Sequence, residues 1–442
     1  MTNAPGALPL LGHALQLGRR PLPFLERMRE LGDITVFRIG RSRCYLLNDP
    51  ALVHRVLVED GDRYTKGVLF EKGRRLLGNG LATSEGEVHT RQRRLMQPAF
   101  ARTDIITYAG TMARLAQATA ASWRHQQVVP LDRAMARLTS SIATSCLFST
   151  DVSGADVREI ESHMGTVFDG AGKRAYAPVD LWYRLPTPAN RRFDHALRRL
   201  HSLVDRIIAE YRRAGVPRRD LLSTLLAARE ADSGRGMTDQ QVHDEVITIL
   251  AGGTETVASA LTWTFGLLAR HPEVEDRVHE ELATVLDGGP PTHADMAALP
   301  YLGAVVQESL RLYPPVWLVP RTPKTDVELG GRRIPAGAQV FFSPYSLHRD
   351  PRWFPDPDRF DPGRWQRQTP RSLPRGAYLP FGLGSRNCVG SSFGFIELVI
   401  VMATVAGRWR LRPAPETSTK TIALTTLHAD GLTMTAFDRN LD

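Results

Sequence analysis

The chain has 442 residues, a formal net charge of +9 and three cysteines. At roughly 150 residues per domain this length allows three domains, but no linker, repeat or low-complexity tract divides the chain, so we expect one large domain. Three scattered cysteines argue against a disulfide framework and favour a reducing compartment, and the lack of basic runs interleaved with aromatic residues argues against nucleic-acid binding.

The first elements in chain order suggest a small β-rich lobe followed by helices. Residues 1–12 lack the basic start and long apolar run of a signal peptide, so we expect no transmembrane anchor and a cytoplasmic protein. Residues 34–39 and 44–47 resemble short strands and indicate a β-rich lobe at about 30–60. From about 90 to 315, apolar residues recur with a 3.6-residue period, which predicts a helical body.

Two later segments break the helical pattern. Residues 176–190 are too rich in proline and aromatic side chains for a continuous helix, yet too apolar for an ordinary loop, and we predict a mobile lid there. Residues 237–270 predict one long helix that begins with a capping box. Gly252 and Gly253 weaken its centre by roughly 1 kcal/mol each relative to alanine, so a locally widened helix is expected.

An acid and an alcohol, Glu255 and Thr256, follow this glycine pair closely. Adjacent groups of these types can organise proton delivery in a water-poor pocket. The alternative is an exposed glutamate beside a threonine that bonds back to its own helix. Further along the chain, Glu308 and Arg311 are spaced one helical turn apart, so they share a face and can pair.

Residues 381–390, Phe-Gly-Leu-Gly-Ser-Arg-Asn-Cys-Val-Gly, place Cys388 behind a glycine-punctuated turn and before an amphipathic segment. At a helix N-terminus, with Arg386 nearby, the thiolate is favoured, and thiolate is the form that binds metal. The glycines let a flat macrocycle approach the backbone. A buried cysteine in an ordinary turn is the alternative, and we keep that interpretation for Cys44 and Cys146.

The ten residues of this turn resemble the haem-binding signature of the cytochrome P-450 family, and the motifs around His89, Glu255 and Glu308 agree with that family in order and spacing. The resemblance implies a mainly α fold with a smaller β-rich lobe, built as one domain that encloses one haem b. Cys388 would be the axial ligand of the haem iron. Because thiolate ligation favours cleavage of dioxygen, the implied activity is that of a monooxygenase with O2 as co-substrate.

The resemblance also implies roles for other residues. Glu255 would relay protons, and Thr256 would stand beside dioxygen in the widened helix. The side chains implied to hold the anionic haem propionates are His89, Arg93, Arg321 and Arg386. A buried network that holds the haem-binding turn would consist of Glu308, Arg311 and Arg364.

The segments that would border a substrate are apolar, which favours a compact hydrocarbon held by shape. The predicted lining residues are Phe70, Leu81, Trp182, Ala251, Gly252, Trp317 and Leu318. Residues 183–193 and 251–259 are similar to those of bacterial enzymes that oxidise cyclic sesquiterpenes. That similarity implies stepwise oxidation of a methyl group, through an alcohol to an aldehyde, in terpenoid antibiotic biosynthesis.

The sequence shows no flavin or iron–sulfur module, so we expect electrons from NAD(P)H to arrive through a separate ferredoxin and ferredoxin reductase, with the chain as a monomer. Basic side chains that could favour an acidic ferredoxin are Arg91, Arg94, Arg386, Arg408 and Arg410. Three alternatives remain open: a different substrate class (macrolide, steroid or fatty acid), a non-catalytic haem-thiolate sensor, and a peroxide-driven oxygenase.

Overall fold

The computed structural model describes residues 1–148, 154–175, 183, 185–214, 220–230, 233–286, 289–415 and 417–441. Within these residues the chain is mainly helical, and its short strands gather into small sheets. The predicted mainly α fold with a smaller β-rich part is therefore confirmed. Most of the lid predicted at 176–190 lies outside the described residues.

Helices supply most of the architecture. Proline occupies the first position of the helices that begin at Pro21, Pro50, Pro300 and Pro344, where its missing N–H leaves no intrahelical bond unmade. The α-helices are α1 (Ala14–Arg19), α2 (Pro21–Glu30), α3 (Pro50–His54), α4 (Val68–Leu77), α5 (Gly86–Met96), α6 (Arg102–Ala121), α7 (Leu131–Phe148), α8 (Gly154–Ala175), α9 (Pro188–Ala214), α10 (Leu221–Ala227), α11 (Asp239–Leu268), α12 (Pro272–Leu286), α13 (Pro300–Leu312), α14 (Pro344–Leu347), α15 (Arg364–Arg367) and α16 (Ser391–Arg408).

Strands are β1 (Thr2–Asn3), β2 (Ile34–Ile39), β3 (Ser42–Leu47), β4 (Tyr64–Thr65), β5 (Gln127–Pro130), β6 (Val319–Pro323), β7 (Val327–Leu329), β8 (Arg332–Ile334), β9 (Gln339–Phe342), β10 (Trp409–Pro413), β11 (Lys420–Ala423), β12 (Leu427–Asp430) and β13 (Thr433–Asp438). The largest sheet has the order β1-β2-β3-β9-β6-β4. In it, β9 runs parallel to β3 and antiparallel to β6, with Arg321 opposite Val340. The smaller sheets are β10-β13-β5, β11-β12 and β7-β8.

The long helix α11 packs against α7 and α16 at the centre of the core. Its predicted capping box is confirmed, because the Thr238 hydroxyl accepts from the Gln241 N–H and the Gln241 side chain accepts from the Thr238 N–H. The predicted widening is wrong, since α11 is regular through its glycine pair. Burial against neighbouring helices outweighs the weak helix propensity of glycine.

Two helices, α11 and α16, have the length and composition of a membrane span. Both are mostly buried by the rest of the protein. A helix that is largely buried in a protein core can have the same length and composition, because packing against neighbouring elements also favours apolar residues. Their hydrophobicity is therefore explained by core packing.

Candidate active site

Cys388 stands in a turn whose shape depends on two glycines. Gly382 and Gly384 have φ of +71° and +74°, a region that residues with a side chain rarely adopt. A Cβ at Gly384 would also come within 2.1 Å of the Leu57 carbonyl oxygen, because the turn packs against a π-helical turn at Arg55–Glu59. The Cys388 N–H donates to the carbonyl of residue 381 at 2.8 Å and closes the turn just before α16.

The Cys388 side chain is exposed, whereas Cys44 and Cys146 are buried. Surrounding protein nevertheless desolvates the thiol and raises its pKa, while the Gly390 N–H and the Arg93 charge act in the opposite direction. Accessible surface together with desolvating surroundings is typical of the wall of a concave site. The prediction that the helix N-terminus and nearby Arg386 favour the thiolate is therefore wrong, because burial outweighs them, and a metal cation bonded to sulfur would supply the missing stabilisation.

Two arginines predicted to bind an anion flank this turn. Arg93, on α5, donates to the carbonyl and to the side-chain oxygen of Asn387, each at 2.5 Å. Arg386 donates to the Tyr64 carbonyl at 2.9 Å and to Glu85 Oε2 at 2.7 Å. The two residues directly before the cysteine therefore tie the turn to α5 and to β4.

His89 and Arg321, the other two predicted anion ligands, are buried in the same region. Desolvation, with the positive charges of Lys66 and Arg386, lowers the pKa of His89 to about 4. Desolvation and the charge of Arg386 lower the pKa of Arg321 to about 10. The structure therefore brings all four predicted basic residues within electrostatic reach of one another.

Lys66 belongs to the same cluster, although no sequence motif surrounds it. Its buried ammonium group donates to the carbonyls of Leu81 and Ser84, each at 2.7 Å. Burial lowers its pKa to about 7, and the positive charges of Arg386 and Arg321 act in the same direction. A lone lysine after a two-residue strand carries no recognisable signal, so only the fold reveals it.

The cluster contains more positive than negative groups. The acids that act on Lys66 are Glu85 and Glu245, and burial raises the pKa of Glu245 to about 8, toward its neutral form. Arg386 Nη1 has no hydrogen-bond partner among the described residues. Buried cations of this kind need anionic partners. Haem fits these residues, with Cys388 for its iron and the basic cluster for its propionates.

A metal at this turn would take most of its ligands from a cofactor. In the part of the chain that the structure describes, no three His, Cys, Asp or Glu side chains are grouped closely enough to hold an ion. A single cysteine is sufficient when a macrocycle provides the other donors. The donor set therefore agrees with haem iron better than with a metal held by protein ligands alone.

Glu308 and Arg311 are fully buried. Arg311 donates from Nε to Glu308 Oε2 at 2.9 Å and from Nη2 to Glu308 Oε1 at 2.8 Å. Arg364 Nε lies 3.5 Å from Glu308 Oε1, an ionic contact longer than a hydrogen bond. Trp365, which no motif singled out, donates from Nε1 to Glu308 Oε2 at 2.9 Å. Arg311 also donates to the His348 carbonyl at 2.8 Å, so the network joins α13 to the coil that precedes the cysteine turn.

Glu255 and Thr256 point to different partners. The Thr256 hydroxyl donates to the Gly252 carbonyl at 2.6 Å, the back-bonded state that the alternative interpretation expects. Glu255 accepts hydrogen bonds from Thr425 and Thr426 at 2.9 and 2.7 Å. Burial raises the pKa of Glu255. The glutamate is thus half-buried, and both of its hydrogen-bond partners are hydroxyls of one loop.

The predicted lining residues occupy different environments. Leu81 and Ala251 are buried in the main core, and Trp317 and Leu318 are buried in a second cluster that includes residues of α2 and β9. Gly252 is exposed and Phe70 is half-buried. Trp182 lies outside the described residues. The buried members contribute to core packing, which uses the same residue types as an apolar pocket.

Most of the basic side chains proposed for docking already have acidic partners within the chain. Arg94 is exposed. The paired ones are Arg91 with Glu230 at 2.8 Å, Arg386 with Glu85 at 2.7 Å, Arg408 with Asp438 at 3.5 Å, and Arg410 with Asp276 at 2.9 Å. Arg91 is half-buried and its guanidinium also donates to the Gly236 carbonyl at 2.8 Å, so it is less available for docking than the exposed Arg94.

Comparison with known proteins bears on both the turn and the fold. The family model described as cytochrome P-450 matches residues 3–436. Cyclooctat-9-en-7-ol 5-monooxygenase of Streptomyces melanosporofaciens is 44% identical, over 94% of this chain and 90% of its own. Cyclooctatin synthase of the same organism is 45% identical, over 94% and 91%. Pentalenene oxygenase of Streptomyces avermitilis is 41% identical, over 96% and 94%.

Proposed function

This chain belongs to the cytochrome P-450 family and is a monooxygenase, and from that premise we propose that it oxidises a cyclic terpene over a haem b whose iron is bonded to Cys388. The observation that carries the proposal is the cysteine turn itself. Its two left-handed glycines, its position before α16 and the adjoining basic cluster suit one flat, anionic, iron-bearing cofactor.

Haem iron with a thiolate ligand supplies the activation of dioxygen. The residues proposed to hold the propionates are His89, Arg93, Arg321 and Arg386, with Lys66 as a fifth. The network of Glu308, Arg311 and Arg364 keeps the turn in place. The Arg93 contacts with Asn387 fix the residue directly before the ligand.

Proton supply is assigned to Glu255 and Thr256. Burial raises the pKa of the Glu255 carboxyl, which makes it a better proton carrier where water is scarce. The Thr256 oxygen can accept that proton on a lone pair, and its own hydrogen has to leave the Gly252 carbonyl before the hydroxyl can pass a proton on. The acid and the alcohol therefore work in sequence.

The substrate proposal comes from the relatives. One acts, by its name, on pentalenene, and another on an unsaturated alcohol, cyclooctat-9-en-7-ol. We infer that this chain takes a compact cyclic terpene, pentalenene among the candidates, and oxidises a methyl group to an alcohol and then an aldehyde in antibiotic biosynthesis. Apolar surroundings suit such a molecule, because shape and few polar contacts hold it.

The electron donors, the cellular compartment and the oligomeric state are also proposals. NAD(P)H, ferredoxin reductase and ferredoxin are the proposed donors, since residues 3–436 match the haem-protein family and none of them is assigned to a flavin or iron–sulfur motif. Arg94 is the exposed basic residue of the predicted docking set. We also propose a cytoplasmic monomer, and the scattered, unbridged cysteines agree with a reducing compartment.

The decisive experiment is the absorption spectrum of the reduced, haem-loaded protein with carbon monoxide. We expect the red-shifted band of thiolate-ligated iron, its loss in Cys388→His, and its retention in the matched variant Cys44→Ala. A band that survives Cys388→His contradicts the proposal.

Substrate class is tested separately by the low-to-high-spin shift of the ferric haem with cyclic terpenes, fatty acids, steroids and macrolides. Substrate-dependent NAD(P)H consumption separates a monooxygenase of this chemistry from a sensor. Full turnover with hydrogen peroxide that is insensitive to Thr256→Val indicates a peroxide-driven oxygenase. Thr262→Val is the control, because Thr262 makes the same back-bond to its own helix.

A further inference from the structure

The carboxyl group of Glu255 has partners that no sequence motif indicates. Thr425 and Thr426, at the tip of the hairpin β11–β12, donate their hydroxyls to Oε1 at 2.9 and 2.7 Å, although they lie 170 and 171 positions further along the chain. Thr425 also lies 3.2 Å from Oε2. One short loop therefore engages both oxygens of the acid.

The charged surroundings of Glu255 do not provide a counter-ion. Within the described part of the chain, the titratable side chains that act on it are His428, on β12, and Asp169, on α8, and neither forms an ion pair with it. Burial raises the pKa of Glu255, and the two threonine hydroxyls partly oppose that rise. Without an ion-pair partner to lower it further, the pKa of Glu255 keeps the upward direction that burial gives it.

The hairpin tip is fixed without help from the threonine side chains. The Leu427 carbonyl accepts from the Ser259 hydroxyl at 2.7 Å and from the Trp263 indole at 3.0 Å, both on α11. The Trp317 indole donates to the Leu424 carbonyl at 2.9 Å. The two hydroxyls are thus presented from a rigid loop that is bonded to the same helix as the acid.

We propose that Thr425 and Thr426 are positioning residues for the proton-carrying acid, holding the Glu255 carboxyl against the hairpin tip and letting it reach Thr256 only when these contacts break. This inference rests on the proposed role of Glu255. The proton that leaves the carboxyl is replaced from solvent, and the carboxyl returns to the tip. The hairpin therefore sets how often the acid is available.

The test uses the haem-loaded enzyme with the double variant Thr425→Val/Thr426→Val. Valine removes the hydroxyl and keeps the β-branched shape, so the tip is expected to stay folded. Infrared difference spectra follow the C=O stretch of protonated Glu255 across pH, with Glu255→Gln to assign the band. We expect the titration midpoint to rise by about one pH unit, because two donors that favour the ionised form are lost.

The pH profile of product formed per NAD(P)H consumed should move in the same direction. Thr421→Val, an exposed position on β11 of the same hairpin, should leave both the band and the profile unchanged. Thr426→Ser keeps the hydroxyl, so this variant should show the wild-type titration midpoint. Thr426→Val lacks the hydroxyl and should show a raised midpoint.

Two outcomes separate the inference from the role it rests on. A folded double variant with the wild-type midpoint and profile overturns the positioning role of Thr425 and Thr426. A Glu255→Gln variant with wild-type coupling at every pH removes the proton-carrying role of Glu255, whatever the threonines do. If the double variant does not fold, Thr425→Val, Thr426→Val and Thr426→Ser are measured singly. A Glu255 midpoint that is equally raised in Thr426→Ser and Thr426→Val contradicts the proposal.

Discussion

Arg93 and Asn387 are 294 positions apart in the chain, yet two hydrogen bonds of 2.5 Å join the guanidinium of one to the carbonyl and side chain of the other. Asn387 immediately precedes Cys388, so this contact fixes the cysteine turn relative to α5. The same guanidinium is proposed to bind a haem propionate. One side chain therefore links the fold to the cofactor.

We expect Arg93→Met to lower the stability of the haem-loaded protein by about 2 kcal/mol, since hydrogen bonds from a charged donor are lost. Urea unfolding and the rate of haem transfer to apomyoglobin measure the effect. Arg94→Met is the matched control, because Arg94 is exposed on the same helix. Equal haem loss from both variants contradicts the assignment.

We expect Glu308→Gln to lower the free energy of unfolding by roughly 3 kcal/mol or more, because removing one partner leaves the buried Arg311 charge uncompensated. The midpoint of urea unfolding and the haem content after purification report the change. Glu328→Gln, at an exposed position on β7, serves as the control. A wild-type midpoint in Glu308→Gln would refute the scaffold role.

We expect Gly384→Ala to impair haem binding and to lower the free energy of unfolding by about 1–3 kcal/mol. Its φ of +74° is strained for alanine, and a Cβ there would contact the Leu57 carbonyl at 2.1 Å. Haem content and thermal midpoint are the measurements. Gly407→Ala, where a Cβ meets nothing within 4 Å, should be neutral or mildly stabilising.

The depressed pKa of Lys66, about 7, predicts a pH-dependent stability of the haem-free protein. An unfolded lysine titrates near 10.4, so between pH 7 and pH 10 the unfolded state binds more protons and stability rises with pH. We expect Lys66→Met to remove a slope of up to about 1.4 kcal/mol per pH unit. Urea unfolding at pH 7, 8 and 9 measures it.

The control for Lys66 is Lys420→Met, at an exposed position on β11. This variant should keep the wild-type slope, because its ammonium group stays in water in both states. A Lys66→Met slope equal to that of the wild type means that Lys66 is already charged at neutral pH in the folded protein. The cluster would then be less repulsive than its geometry indicates.

Local sequence was sufficient for features whose groups lie close together in the chain. The turn around Cys388 and the pair Glu308 and Arg311 could be identified from spacing, because a few consecutive residues define each of them. The capping box at Thr238 is of the same kind. Short-range geometry is encoded in the order of residue types.

Features that depend on distant segments could not be predicted in this way. Lys66 joins the basic cluster, and Thr426 reaches Glu255, only because the fold brings remote elements together. The expected widening around Gly252 failed for a related reason, since packing of α11 overrides its propensity. A local pattern contains no information about such neighbours.

The long sequence separations in this site have a consequence for biosynthesis. Glu255 leaves the ribosome 170 residues before Thr425, and Arg93 leaves it 294 residues before Asn387. Since a chain grows from its N-terminus at about 5–20 residues per second, both groups wait for their partners during translation. Cofactor capture is therefore a late event in the life of the nascent polypeptide, and a prematurely terminated chain lacks it altogether.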